Sequence, residues 1–435
     1  MALAGFTEFQ LRQVTVSGTT TTASEPRPIV IVTVTGTNGG VGYGICQRLL
    51  IQLTSQIPSD SLPRDFEDAS LSGRPQKYAG LTLIMACRSV SRAQKARTEL
   101  LQFFDSHIQK IQSTAEYDGH AEEFKKNLSI EMEYVDLASI KTVLEFAKRV
   151  NQKYPYISHL MCNAGLASFS GLDPKLLLHQ LFTDPKGAVT TPLYYSQHSG
   201  ELSIDGLGWV WQCNVFSHFS MFRELQPSLS RSPNGPARVI WCSSIEASPK
   251  FYSPDDWQLR STEHSYESSK YQIDLISTTL DRLALSSSSS SPNASNSAVT
   301  RHFISQPGVC HTNVAHALVG PFLDFCKLMV FYFVRLLGST QHPISPIKLA
   351  IASVHLALVP LTYLTFFSDA KTPPVRYGAE SDRWGTERVG ISPVRAWLAN
   401  EEEGRRLVAK CDEILDKLKR EEERGPVFET ASEKM

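Results

Sequence analysis

Charge of one sign is the first thing the 435-residue chain lacks: 43 Lys and Arg face 44 Asp and Glu, leaving −1 at pH 7. Without a basic field to gather phosphate backbones, nucleic acid is not expected as a partner. Paired cysteines are missing too. The eight at 46, 87, 162, 213, 242, 310, 326 and 411 form no C-x-x-C and have no histidine at metal-ligand spacing. No metal site is therefore expected, and the compartment reads as reducing. Met1 to Pro28 lack a charged start followed by an apolar run, so no secretory leader is expected, and the sequons at Asn127 and Asn293 go unread. No solenoid-type repeat is present. Nor is there an unbroken apolar run of bilayer length. Leu318 to Leu337 is interrupted by Asp324, Lys327 and Arg335, and each charge costs about 2.5–3.5 kcal/mol at a bilayer centre.

What is present is an ordinary globular composition, 42% hydrophobic and 20% charged, enough for a large core. Pro28 to Thr35 (PIVIVTVT) is a β-branched run that suits a strand buried on both faces. Similar runs recur at Leu81 to Ala86, Ser129 to Val135, Ile157 to Cys162, Ala237 to Cys242 and Val299 to Ser305. Helix-patterned segments lie between them: Tyr43 to Gln52, Val90 to Phe104, Ile140 to Gln152, Leu207 to Leu229 and Glu263 to Leu285. The alternation predicts an α/β fold, a doubly wound Rossmann-type parallel sheet with long insertions and a C-terminal helical extension. The chain divides into a flexible leader (1–27), a nucleotide-binding catalytic domain (28–315), an apolar helical segment with a packing helix (316–370), and a C-terminal extension with a charged helix (371–435). Segments 56–80, 105–127 and 168–203 exceed ordinary loop lengths and read as insertions. The serine tract 286–297 reads as a mobile loop.

The first strand runs into Thr35-Gly36-Thr37-Asn38-Gly39-Gly40-Val41-Gly42 and then a helix. Glycines there permit a sharp turn and bring backbone N–H groups close to a pyrophosphate, so a dinucleotide is the expected ligand. The second strand ends in Cys87-Arg88-Ser89, where an NAD-binding chain usually carries an acid. Arg88, with Arg92 nearby, suits a 2′-phosphate and hence NADPH. Asp136, Asn163-Ala164-Gly165 and Asn214 are each open to bland readings as a helix cap, a turn and a satisfied core amide. Tyr266 and Lys270 are four apart, so on a helix they share a face, and the ammonium is expected to draw the phenol below its usual ionisation range. Ser243 or Ser244, at the end of the fifth predicted strand, offers a hydroxyl for a substrate carbonyl.

Together, Thr35-Gly-x-x-x-Gly40-x-Gly42, Asp136, Asn163-Ala-Gly165, Asn214, Ser244, Tyr266-x-x-x-Lys270 and Pro307-Gly308-x-x-x-Thr312 resemble the ordered motifs of short-chain dehydrogenases/reductases over roughly residues 28 to 315. The resemblance implies that Tyr266 protonates a carbonyl oxygen, Lys270 also holds the nicotinamide ribose, Ser244 positions the substrate and Asn214 supports a proton relay. It likewise implies that Gly36, Asn38, Gly40, Gly42, Arg88, Asp136, Asn163, Pro307 and Thr312 bind the cofactor. The long spacings from Gly165 to Asn214 and from Ser244 to Tyr266 depart from the usual pattern. They narrow the resemblance, with Asp205-Gly-Leu207, Asn214-Val-Phe-Ser-His-Phe219, Arg223-Glu-Leu-Gln-Pro227 and Asp255-Asp256-Trp257, to the 3-keto sterol reductases of sterol C-4 demethylation.

That subfamily implies a sterol 3-ketone as substrate, the cytosolic face of the endoplasmic reticulum or lipid droplets as location, and other sterol-pathway enzymes as partners. Another NADPH carbonyl reductase for a lipophilic ketone, or a non-catalytic cofactor-binding scaffold, are the alternative readings. At 100° per residue Asp324, Lys327 and Arg335 cluster opposite Phe322, Phe325, Met329, Phe333 and Leu336, so residues 318 to 337 are expected to lie in a membrane surface. Leu349 to Phe367 is expected to pack against the sheet.

Overall fold

The computed structural model describes residues 29–70, 73–233, 235–289, 299–309, 316–367, 369 and 371–424. Among the described residues ten strands form two sheets. The strands are β1 (Ile29–Thr35), β2 (Gly80–Cys87), β3 (Leu128–Tyr134), β4 (His159–Cys162), β5 (Phe169–Leu172), β6 (Tyr195–Gln197), β7 (Arg238–Cys242), β8 (Arg301–Gln306), β9 (Val375–Ser381) and β10 (Glu387–Pro393). The main sheet has the order β10-β9-β8-β7-β4-β1-β2-β3, parallel throughout except for β10 at the edge. The strand order reverses at β1 and β4, the place where doubly wound sheets open a crevice for a nucleotide.

Outside the 168–203 insertion, the helices of eight or more residues among the described residues are α1 (Gly40–Leu53), α2 (Val90–Gln112), α3 (Ile140–Lys153), α4 (Ser217–Leu229), α5 (Ser265–Ser289), α6 (His316–Leu336), α7 (Ile351–Leu358) and α8 (Trp397–Arg424). The stripe Val143, Phe146, Ala147 and Val150 on α3 joins a core with α4, α5 and α8 on one face. On the other face α1, α2 and α7 bury Ile45, Leu49, Leu100, Phe104, Val354 and Leu358. α7, apolar but for Ser353 and His355, is buried from Ile351 to Leu358. Gly404 lets α8 approach α5 closely, since a Cβ there would stand 2.4 Å from Thr279 Oγ1.

Four segments differ from the sequence reading. Within 105–127, α2 continues to Gln112 and a short helix spans His120–Lys126, because Ile108, Ala121 and Phe124 carry the apolar stripe through a charged stretch. The serine tract begins as helix, with α5 running to Ser289; residues 290–298 lie outside the described residues. Segment 371–435 is not only helical: β9 and β10 extend the sheet, disguised in sequence by the charges Arg376, Glu380 and Arg388. The single helix expected over 207–229 is interrupted by a π-helical turn at Gln212–Phe216.

Insertion 168–203 folds as the β5–β6 ribbon enclosing helices Pro174–Thr183 and Pro185–Thr190. Each helix starts with proline after a capping aspartate: Asp173 accepts the Lys175 N–H at 2.9 Å and Asp184 accepts the Gly187 N–H at 2.9 Å. Among its described residues, insertion 56–80 contains a short turn at Ser59–Ser61 and is held from within. Glu67 is buried against His355 Nε2 and the Tyr377 hydroxyl, both at 3.0 Å.

Candidate active site

The cradle for a nucleotide begins where β1 ends. Gly36 has φ 69°, and a side chain there would press on Ala164 at 3.0 Å. Gly42 lies so close to the preceding turn that a Cβ would stand 2.4 Å from Gly36 O and 2.6 Å from Asn163 Nδ2. α1 has no side-chain cap, and the space beside Gly39 is open, so the first N–H groups of a 14-residue helix at the sheet crossover are left for an acceptor from elsewhere. That arrangement suits a pyrophosphate, with Asn38 and Gly40 half-buried at its rim. Asn163 shapes the cradle: its Nδ2 donates to Thr35 O at 3.0 Å and its N–H to Thr35 Oγ1 at 2.9 Å.

Arg88 and Arg92 are exposed beyond β2, and among the described residues neither has an ion-pair partner. Two free guanidinium groups at that rim fit a phosphate better than a bare ribose. Asp136 folds its carboxylate back onto the Ala138 N–H at 3.0 Å. Pro307 is half-buried just past β8, whereas Thr312 lies outside the described residues.

Tyr266 occupies the first turn of α5, and Lys270 follows one turn later, its Nζ 5.8 Å from the centre of the Tyr266 ring. Lys270 is buried and donates to Cys242 O at 2.8 Å. The expected lowering of the phenol is corrected here. Burial raises the Tyr266 pKa above its ordinary value, the charge of Glu246 raises it further, and a hydrogen bond with Ser244 opposes them. The ammonium is engaged at the Cys242 carbonyl and stands over the ring, and burial lowers its own pKa.

The two serines point in different directions. Ser243 donates to Lys270 O at 3.4 Å and acts on Asp274, away from the phenol. Ser244 faces Tyr266 and accepts the Glu246 N–H at 3.1 Å. Asn214, fully buried in the π-helical turn, spends its carboxamide on a clamp. Oδ1 accepts the Leu166 N–H at 2.8 Å, while Nδ2 donates to Leu166 O at 2.9 Å and to Ser269 Oγ at 3.0 Å. Ser269 in turn donates to Tyr266 O at 2.7 Å. Asn214 thus ties the loop after β4 to the helix that carries the tyrosine. π-Turns of this kind recur at functional sites.

Two supports escaped the sequence reading. Gln197, at the end of β6, accepts the Tyr266 N–H at 2.9 Å and the Ser265 hydroxyl at 3.0 Å, and donates to Glu267 at 2.7 Å. The insertion therefore caps the helix that carries Tyr266. Arg376 on β9, buried, reaches Ser244 O at 3.2 Å and Asp274 at 3.3 Å. Asp274 stands one helical turn beyond Lys270, a spacing that could have flagged it. Nothing local points to Gln197 or Arg376.

A sheet ordered β3-β2-β1-β4-β7-β8-β9, an uncapped glycine turn at the crossover, and Ser244, Tyr266 and Lys270 gathered at the strand ends define a short-chain dehydrogenase/reductase, an oxidoreductase. No family model matches the chain. Among curated proteins it is 28% identical to the 3-keto-steroid reductase of Schizosaccharomyces pombe, covering 89% of this chain and 95% of that one. It is 29% identical to the enzyme of Saccharomyces cerevisiae (83% and 91%) and 30% identical to that of Candida glabrata (72% and 80%). The chain belongs to the 3-keto-steroid reductase family. Solved structures it resembles include L-sorbose reductase from Gluconobacter frateurii with NADPH and L-sorbose (15% identity, 78% of this chain, 92% of that one, TM-score 0.47). Another is the RhlG/NADP complex of Pseudomonas aeruginosa (16% identity, 76% and 90%, TM-score 0.45).

Proposed function

We propose that the chain reduces a sterol 3-ketone to the 3-hydroxyl with NADPH, in the C-4 demethylation stage of sterol biosynthesis. The observation that carries this reading is the meeting of the Ser244 hydroxyl and the Tyr266 phenol, one helical turn from Lys270, in a chain whose relatives are named 3-keto-steroid reductases. When bound, the dihydronicotinamide supplies a hydride. The residues of the chain do the rest. Ser244 donates a hydrogen bond to the carbonyl oxygen, and Tyr266 delivers its phenolic proton to that oxygen as negative charge develops. Lys270, buried and held by Cys242 O, stabilises the phenolate left behind. The guanidinium groups of Arg88 and Arg92, without an ion-pair partner among the described residues, support NADPH over NADH.

The proposed location is a membrane surface of the endoplasmic reticulum facing the cytosol. Among the described residues no helix is long and apolar enough to cross a membrane. α6, broken at Gly320, instead turns its apolar side outward: Phe322 is 75% exposed, Phe325 60% and Phe333 60%. Asp324 is 7% exposed on the inner side and pairs with Lys327 at 2.7 Å. An apolar face turned to solvent with its charges turned inward supports burial in lipid.

The test is purified protein with NADPH or NADH and a panel of 3-keto sterols beside non-sterol ketones, followed by cofactor oxidation. Turnover of 3-keto sterols with NADPH is expected. Turnover confined to non-sterol ketones would overturn the substrate reading.

A further inference from the structure

The tip of the β9–β10 hairpin carries an indole that has no part in the chemistry described so far. Trp384 is 77% exposed, the one exposed side chain among six tryptophans. The turn beneath it spends its own acid on the backbone: Asp382 Oδ1 accepts the Trp384 N–H at 2.9 Å and the Thr386 N–H at 2.8 Å, and Gly385 takes φ 90° to close the turn. Arg383 and Trp384 are left exposed at the tip. That tip sits against the end of α6. Gly385 packs so closely on Arg335 that a Cβ would stand 3.0 Å from the guanidinium carbon, and the same guanidinium lies over the Tyr332 ring at 4.8 Å. Lys348 donates to Gly385 O, and the Ser381 N–H donates to Thr340 O at 2.9 Å, just past the helix. Leu336 and Leu337, beside Arg335 in the chain, are exposed. The indole therefore continues the apolar side of α6 past its C-terminal end and onto a different element.

We propose that Trp384 and Arg383 make a second contact with a lipid surface and fix how the body of the protein is turned on it, which rests on the reading of α6 as the in-plane anchor. A helix lying in a surface can still roll about its own axis. A contact on another element, off that axis, stops the roll. Tryptophan has the chemistry for this depth, with an apolar ring that leaves water and an N–H that keeps a polar partner among the headgroups. Arg383 adds a cation whose complement is an anionic headgroup. A protein partner fits less well, because one indole and one cation raised on a five-residue turn, Asp382 to Thr386, do not form the broad apolar centre of a protein interface.

The test uses the full chain with vesicles of phosphatidylcholine alone or mixed with phosphatidylserine, some carrying brominated acyl chains that quench indoles in contact with lipid. Emission of the wild type minus that of Trp384→Phe isolates the one residue. On vesicle binding this difference spectrum is expected to shift to the blue and to be quenched by the brominated lipid. Trp384→Ala should bind vesicles about tenfold more weakly, with its circular dichroism and NADPH affinity unchanged. Arg383→Gln should weaken binding about fivefold, and only where phosphatidylserine is present. Wild-type protein that binds vesicles with Trp384 unquenched, and with Trp384→Ala binding equally well, would overturn the second contact and leave the α6 anchor standing. No vesicle binding by the wild type would instead remove the anchor itself and the contact with it. A blue shift that follows protein concentration without vesicles would assign the tip to a second copy of the chain and so defeat the lipid contact.

Discussion

Removing the Tyr266 hydroxyl as Tyr266→Phe takes away the proposed proton donor and leaves the ring in its place on α5. Turnover is expected to fall at least ~10²-fold with NADPH affinity nearly unchanged, read by steady-state kinetics beside a binding titration. Near-normal turnover would remove Tyr266 from the mechanism. Arg88→Ala should weaken NADPH while sparing NADH, because the lost interaction is with a phosphate that only one of them carries. Equal losses would make Arg88 structural. At this scale the sequence was informative wherever spacing along one element fixes geometry, as for Tyr266 and Lys270 on α5 or Gly36 and Gly42 around the first turn. It was silent on direction. Only the fold separates Ser243, turned toward Lys270 O and Asp274, from Ser244, turned toward the phenol.

Elements matter here through what they lend to α5. The β5–β6 ribbon supplies Gln197, whose amide satisfies the first turn of that helix. Gln197→Ala should leave a buried N–H and the Glu267 carboxylate short of partners, at about 1–3 kcal/mol. The measurable outcome is a lower Tm and reduced kcat, with NADPH affinity retained because the glycine turn is remote in the chain. Loss of NADPH affinity instead would show that the ribbon acts through the cofactor site. For α6, replacing Phe325, Met329 and Phe333 with serine is expected to move the protein from membranes to the soluble fraction without unfolding it, since all three side chains already face outward. Continued membrane binding, or unfolding seen by circular dichroism, would defeat the in-plane anchor. The amphipathic pattern of α6 was legible because period 3.6 is written locally. β9 and β10 were not, because their burial depends on pairing with β8, far away in sequence.

The whole molecule responds to pH through histidines locked in its core. Burial holds His159 and His302 down to about 3 and His218 to about 4, against about 6.5 in the unfolded chain. With folded pKa values depressed, the three cost nothing above about pH 6.5. Below it the unfolded chain binds protons that the native one refuses. Each histidine then removes about 1.4 kcal/mol of stability per pH unit until its own folded value is reached. Urea midpoints should therefore drop steeply between pH 6.5 and 4.5, and a flat profile there would show that these rings titrate freely in the native state.

Arg376 has one more consequence, for synthesis. The glycine turn, Asn214, Ser244, Tyr266 and Lys270 all leave the ribosome before the residue that braces Ser244 and neutralises Asp274. While β9 is still being translated, the nascent chain holds these groups without the arginine that pairs with Asp274, so the Ser244 loop is braced only once the last two strands dock. A premature stop codon after residue 370 would thus yield a polypeptide carrying every motif named above and no working enzyme.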